Sequence, residues 1–76
     1  MTRYFFDFND GAGLASDEVG MEFGSVDEAR LEAAETLSEI CKDAARSAGD
    51  HKTVSVTVRD EDGQTRFTAS MVFELK

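Results

Sequence analysis

The sequence predicts an α+β domain in the order β-β-α-β-β. A four-stranded antiparallel sheet, in the strand order 2-1-3-4, carries one helix packed on one face. Three observations carry this reading. An aromatic segment near the N-terminus alternates with period two, and a central run repeats its apolar residues at helical spacing behind a capping signal. Two further alternating runs flank an acidic turn in the last third. With 76 residues there is room for one domain, spanning 1–76.

The first strand is Arg3-Tyr4-Phe5-Phe6-Asp7-Phe8. Tyr4, Phe6 and Phe8 fall on one face, and Arg3, Phe5 and Asp7 on the other. Asn9 to Gly13 reads as a turn, because Asn, Asp and Gly tolerate positive φ. Leu14 to Phe23 is less regular. Leu14, Val19, Met21 and Phe23 are its apolar members, and Gly20 within it suggests a bulge in a short second strand that returns along the first.

The helix opens on Ser25 and Glu28, an S-x-x-E capping box in which the Ser hydroxyl accepts from the N3 amide and the Glu reaches back. Asp27 and Glu28 also suit the positive end of the helix dipole. Val26, Ala29, Ala33, Leu37, Ile40 and Ala44 form one stripe, flanked by Ala34 and Cys41. Glu32, Glu35, Glu39 and Lys42 point outward. Lys42 and Arg46 suit the C-terminal dipole, and Gly49 is a natural residue just past the end. The alanines on the stripe predict a close helix-to-sheet approach.

The last third reads as a hairpin. Val54, Val56 and Val58 alternate with Thr53, Ser55, Thr57 and Arg59. Asp60-Glu61-Asp62-Gly63 is the turn. Phe67, Ala69, Met71, Phe73 and Leu75 then alternate with Arg66, Thr68, Ser70, Val72 and Glu74. Placing the first strand between the second and third makes every neighbour antiparallel, with a right-handed crossover through the helix.

Composition narrows the function. Sixteen acidic and eight basic side chains give a net charge of −8. That charge opposes nucleic-acid phosphate and anionic membrane surfaces, so neither is expected as a partner. One Cys and one His leave no disulfide framework and no zinc site. No apolar run is long enough to span a bilayer, and Asp7 comes too early for a signal-peptide core. A cytoplasmic protein without metal or cofactor is expected.

The candidate chemical motifs are weak. Gly11-Ala12-Gly13 lacks the third glycine and the following long helix of a dinucleotide loop, and fits a hairpin turn. Asp60 to Gly63 resembles a Ca²⁺ loop, but an EF-hand register would put Val58 first and Ala69 twelfth, where acidic ligands are required. Cys41 reads as a small buried hydrophobe, because a nucleophile needs a base and an electropositive setting. Asp50-His51 resembles a fragment of a triad, yet no nucleophile and oxyanion donor can be placed beside it. No catalytic residue is assigned, and the protein is not expected to be an enzyme.

Two surfaces remain as candidate contacts. The sheet face away from the helix shows Phe5, Thr53, Ser55, Thr57, Thr68, Ser70 and Val72, rich in hydroxyls and poor in charge. Such a face can be simply solvated, or it can serve a homodimer or another protein partner. The carboxylates of Glu32, Glu35, Glu39, Asp60, Glu61 and Asp62 form acidic surfaces. These serve solubility, or they dock a basic partner.

The chain also resembles a family of short bacterial proteins of unknown function, abundant in rhizobia and other alphaproteobacteria. The resemblance rests on Arg3 to Asp7, Asp10-Gly11, Asp17 to Glu22, Ala29-Arg30 with Glu32-Ala33, and Val58 to Gly63. Phe23-Gly24-Ser25 departs from that family's usual Leu-Pro-Asp-type helix entry, and the capping box takes its place. This resemblance implies no activity. Residues 3–45 are more distantly similar to HicB-type antitoxins, which implies an acidic inhibitor of a small basic nuclease, here without the DNA-binding tail that many of those proteins carry. The expected function is a non-enzymatic protein-interaction or accessory domain, with the HicB-like inhibitor as the alternative.

Overall fold

The period-two aromatic segment forms β1, Thr2–Asn9, in a computed structural model that describes residues 1–10, 13–47 and 51–74. The expected turn residues Gly11 and Ala12, the helix-end residue Gly49, Asp50 and Leu75 lie outside the described residues. β2 is Leu14–Ala15, β3 is Met21–Phe23, α1 is Val26–Ser47, β4 is His51–Arg59 and β5 is Thr65–Glu74. The architecture is α+β, with one helix on an antiparallel sheet.

The sheet has five strands, in the order β2-β1-β4-β5 with β3 also paired to β1. This corrects the expected four-stranded 2-1-3-4 sheet. The region read as one strand splits into β2 and β3, which pair with opposite ends of β1. Phe8 faces Ala15 in one ladder, and Tyr4 faces Met21 in the other.

The physical reason for the split is Asp17. Its Oδ2 accepts the Phe6 amide at 3.1 Å, taking the place of a ladder bond. Its Oδ1 accepts the amides of Val19 and Gly20, each at 3.0 Å. The chain therefore curls away from β1 between β2 and β3 and returns through Gly20, at φ 77°. Of the apolar members expected in a packed strand, Phe23 reaches the core and stacks on Phe6, while Leu14, Val19 and Met21 are exposed.

The helix begins as its capping signal requires. Ser25 Oγ accepts the Glu28 amide at 3.3 Å. Glu28 Oε2 reaches back to the Gly24 amide at 2.8 Å, one residue beyond the N-cap amide of an ordinary capping box. Ala29, Ala33 and Leu37 are buried against Tyr4, Phe6 and the valines of β4, and Val26, Ile40 and Cys41 pack around them. The two alanines bring the helix backbone close to the sheet, as the sequence predicted. Ala34 is the exception to the predicted flank and stands exposed.

β4 is the central strand beside β1, and β5 forms the outer edge. Val54, Val56 and Val58 face Met71, Ala69 and Phe67 across the β4–β5 ladder. A bulge follows, shifting the register between Val58 and Arg59. The turn beyond it is built on Asp60, whose Oδ1 accepts the amides of Asp62 at 2.9 Å and Gln64 at 3.0 Å. Gly63, at φ 81°, closes it.

Candidate functional site

The face of the sheet away from the helix divides into two halves. Alternation along β1 and β4 puts Arg3, Phe5, Asp7 and Arg59 on this face together with Thr53, Ser55 and Thr57. The register sets Phe5 opposite Arg59 and Asp7 opposite Thr57, so the charged residues gather toward one end. Arg59 Nε donates to Asp7 Oδ2 at 2.6 Å and Arg59 Nη2 to Asp7 Oδ1 at 3.1 Å. The same Nη2 donates to the Asp17 carbonyl at 3.0 Å, and the Asp17 amide donates to Asp7 Oδ1 at 2.9 Å. The guanidinium lies over the Phe5 ring, 5.2 Å from its centroid. Arg3 closes the cluster from the outside, donating from Nη1 to the Val19 carbonyl at 2.9 Å.

These contacts set the ionisation of the cluster. The Arg59 guanidinium holds the Asp7 carboxyl below its ordinary range, and Asp7 in turn raises Arg59. Burial pushes the Asp17 carboxyl up, but the amides of Gly20, Phe6 and Val19 outweigh it and leave the group lowered. Both carboxylates are therefore held as anions with their lone pairs engaged by donors. Among the described residues no buried side-chain polar atom lacks a hydrogen-bond partner. The cluster splices the β2–β3 segment onto β1 and β4, and its groups are occupied in doing so.

The other half of the face carries three consecutive uncharged cross-strand pairs and is bounded by His51 facing Glu74. Cross-strand partners there are Thr53 with Val72, Ser55 with Ser70 and Thr57 with Thr68. The Thr57 and Thr68 hydroxyls are 3.4 Å apart. Thr53, Thr68 and Ser70 are exposed, Ser55 and Thr57 half-buried, and Val72 is 61% exposed. Phe5, expected to belong to this surface, is half-buried beneath Arg59 in the charged half.

The acidic residues have separate situations. Glu35 and Glu39 stand exposed on the outer helix face, while Glu32 is half-buried beside Thr36. Glu32 lines a cavity of about 280 Å³ with Phe6, Phe8, Met21 and Asp17. Asp60 is buried, held below its usual range by the Gln64 amide and by further donors that include Arg66. Glu61 is exposed, yet its Oε1 accepts the Arg3 amide at 2.8 Å, joining the hairpin turn to β1. Asp62 is exposed.

A family model described as a domain of unknown function, DUF6894, matches residues 3–72. The chain belongs to that family. No curated protein and no solved structure matches it. The DUF6894 match runs from the Arg3 cluster to Val72 and so includes the split second strand, the helix and both halves of the far face.

Other candidate chemistry in this DUF6894 domain is dispersed. Cys41 is half-buried and packs against the core. His51 is exposed, with Nδ1 3.9 Å from Glu74 Oε2, beyond hydrogen-bond length. Among the described residues no group of three His, Cys, Asp or Glu side chains is placed to hold a metal ion. No helix among them is long and apolar enough to cross a membrane.

Sequence reasoning missed the Asp17 site. Asp17 lies in an irregular stretch and has no partner at a regular spacing. The one available signal was an Asp three residues before a Gly, the arrangement of a side-chain-capped turn.

Proposed function

We propose that this DUF6894 chain is a non-enzymatic, cytoplasmic protein-interaction or accessory domain, which binds a protein partner or a second copy through the uncharged half of its open sheet face. The three consecutive uncharged cross-strand pairs at Thr53–Val72, Ser55–Ser70 and Thr57–Thr68 carry this reading. Hydroxyl and β-branched side chains lose less on desolvation than carboxylates or ammonium groups. Asp7 and Arg59 of the same face are engaged with each other toward the other end, which supports a structural use for them. The test is affinity capture from the source cell with the wild-type chain and with the Thr53→Lys/Ser70→Lys variant, together with light scattering. The wild type should retain a protein, or self-associate, in a way that the variant loses. A capture profile and mass that are the same for both chains would overturn the reading.

A second reading places a basic protein on the outer helix face, where Glu35 and Glu39 stand exposed one turn apart. Carboxylates so arranged complement a cationic surface. The domain would then be a HicB-like inhibitor of a small basic nuclease. Co-expression with a small, Lys/Arg-rich protein encoded beside it should relieve that protein's toxicity, and Glu35→Lys/Glu39→Lys should abolish the relief. Unrelieved toxicity would sink this reading.

A further inference from the structure

The outer edge of the sheet is β5, ten residues from Thr65 to Glu74 with no strand beyond it among the described residues. Natural edge strands are usually shortened, bulged, or guarded by Pro or Lys. β5 contains neither residue, and its register shift is confined to its start beside Arg59. Between this edge and α1 runs an open groove of about 570 Å³, lined by apolar side chains that include Leu37, Phe67 and Met71 and by the cations Arg30 and Arg66. Leu31, on the adjoining helix surface, is 68% exposed.

We infer that a second copy of this chain covers that edge, its β5 pairing antiparallel with the first around a two-fold axis at Ser70. This goes beyond the interaction reading above, because it concerns the edge of the sheet and not its open face. The sequence of β5 is complementary to its own reverse. With Ser70 facing Ser70 of the second copy, Arg66 faces Glu74, Phe67 faces Phe73, Thr68 faces Val72 and Ala69 faces Met71. Each opposite-charge pair, aromatic pair and small-to-large pair then occurs twice. Slid by two residues toward Ala69 facing Ala69, the register sets Arg66 against Val72 and leaves its charge without a counter-ion across the contact. In a chain of net charge −8, β5 carries one cation and one anion, so its contribution is +1 − 1 = 0. It is a segment on which two such acidic copies can approach.

The helix fits the same arrangement. α1 packs over β4 and β5. A two-fold axis normal to the sheet puts both helices on the same side, running antiparallel. With strands about 4.8 Å apart, a helix seated between β4 and β5 lies about 10 Å from its symmetry mate, at the upper end of helix-packing distances of about 8–10 Å. Leu31 and Ala34 would meet their counterparts across the groove, and the two grooves would close into one.

Light scattering at micromolar concentration should give twice the 8.3 kDa of one chain. In a Cys41→Ser background, Ser70→Cys should cross-link to itself under mild oxidation, since facing strand residues lie within disulfide reach. Thr68→Cys and Val72→Cys should cross-link to each other when mixed, and neither to itself. Arg66→Glu and Glu74→Arg should each weaken self-association by about tenfold, and mixing the two variants should restore it. A monomer at all concentrations, or a dimer whose cross-links follow another pattern, would overturn the pairing. A monomer that still retains a different protein through Thr53 and Ser70 would leave the interaction reading standing.

Discussion

Arg59 and Asp7, 52 positions apart in sequence, form a two-pronged ion pair across adjacent strands, with N–O distances of 2.6 and 3.1 Å. The fork of a guanidinium matches the two oxygens of a carboxylate, so the pair fixes orientation as well as proximity. It also reaches the Asp17 carbonyl, tying β4 to the segment that interrupts the second strand. Asp7→Asn keeps the shape but offers one acceptor oxygen and no charge. Arg59 is 31% exposed, so solvent screening discounts the loss, which is expected to be about 1 kcal/mol. Urea unfolding of the two chains would measure it.

Asp17→Asn should cost more than Asp7→Asn, about 2 kcal/mol. The Asp17 carboxylate accepts three amides, from Phe6, Val19 and Gly20. An Asn side chain turns an N–H₂ toward at least one of those donors. Amide hydrogen exchange at Phe6 and Gly20 should quicken while exchange in the middle of β4 changes only with global stability. Unchanged exchange at both amides would refute the assignment of Asp17 as the splice.

The two left-handed glycines should respond differently to alanine. A Cβ on Gly20 would lie 2.8 Å from Arg3 Cγ, 2.9 Å from the Phe5 ring and 3.0 Å from the Tyr4 carbonyl oxygen. Gly20→Ala combines that crowding with a left-handed backbone, for a loss of about 3 kcal/mol. Gly63 has the same backbone sense but open space around it. Gly63→Ala should cost about 1 kcal/mol, from backbone strain alone. Thermal melts of both variants would show the order, and equal losses would contradict it.

Stability should fall in acid. Asp7, Asp17 and Asp60 are all lowered from the ordinary aspartate value of 3.8. The unfolded chain therefore binds protons on these groups more readily than the folded one. Their contribution is complete above about pH 5 and is lost as pH falls through about 4 and on toward the lower folded values. The melting temperature should change little from pH 7 to 5 and drop steeply below 4. Asp17→Asn should make that drop shallower. A melting temperature flat down to pH 3 would be inconsistent with the bonds described.

The sequence by itself determined the elements whose burial is periodic. Tyr4 and Phe6, Ala29 with Ala33 and Leu37, and Val54, Val56 and Val58 recur at the spacing of their secondary structure and are buried together. Their faces were legible because periodicity alone decides which side of a strand or helix an atom occupies. Ser25 and Glu28 were legible as a local cap, and Asp60 to Gly63 as a local turn. The candidate contact face was legible as a set of alternate residues, but not its division into a charged and an uncharged half. Only the tertiary structure decided that division, because Arg59 finds Asp7 across the β1–β4 register. It likewise decided that Leu14–Phe23 becomes two strands, since the Asp17 carboxylate competes for the Phe6 amide that a continuous ladder would have used. Those partners are distant in sequence and obey no period, so they exist only once β1 and β4 lie side by side.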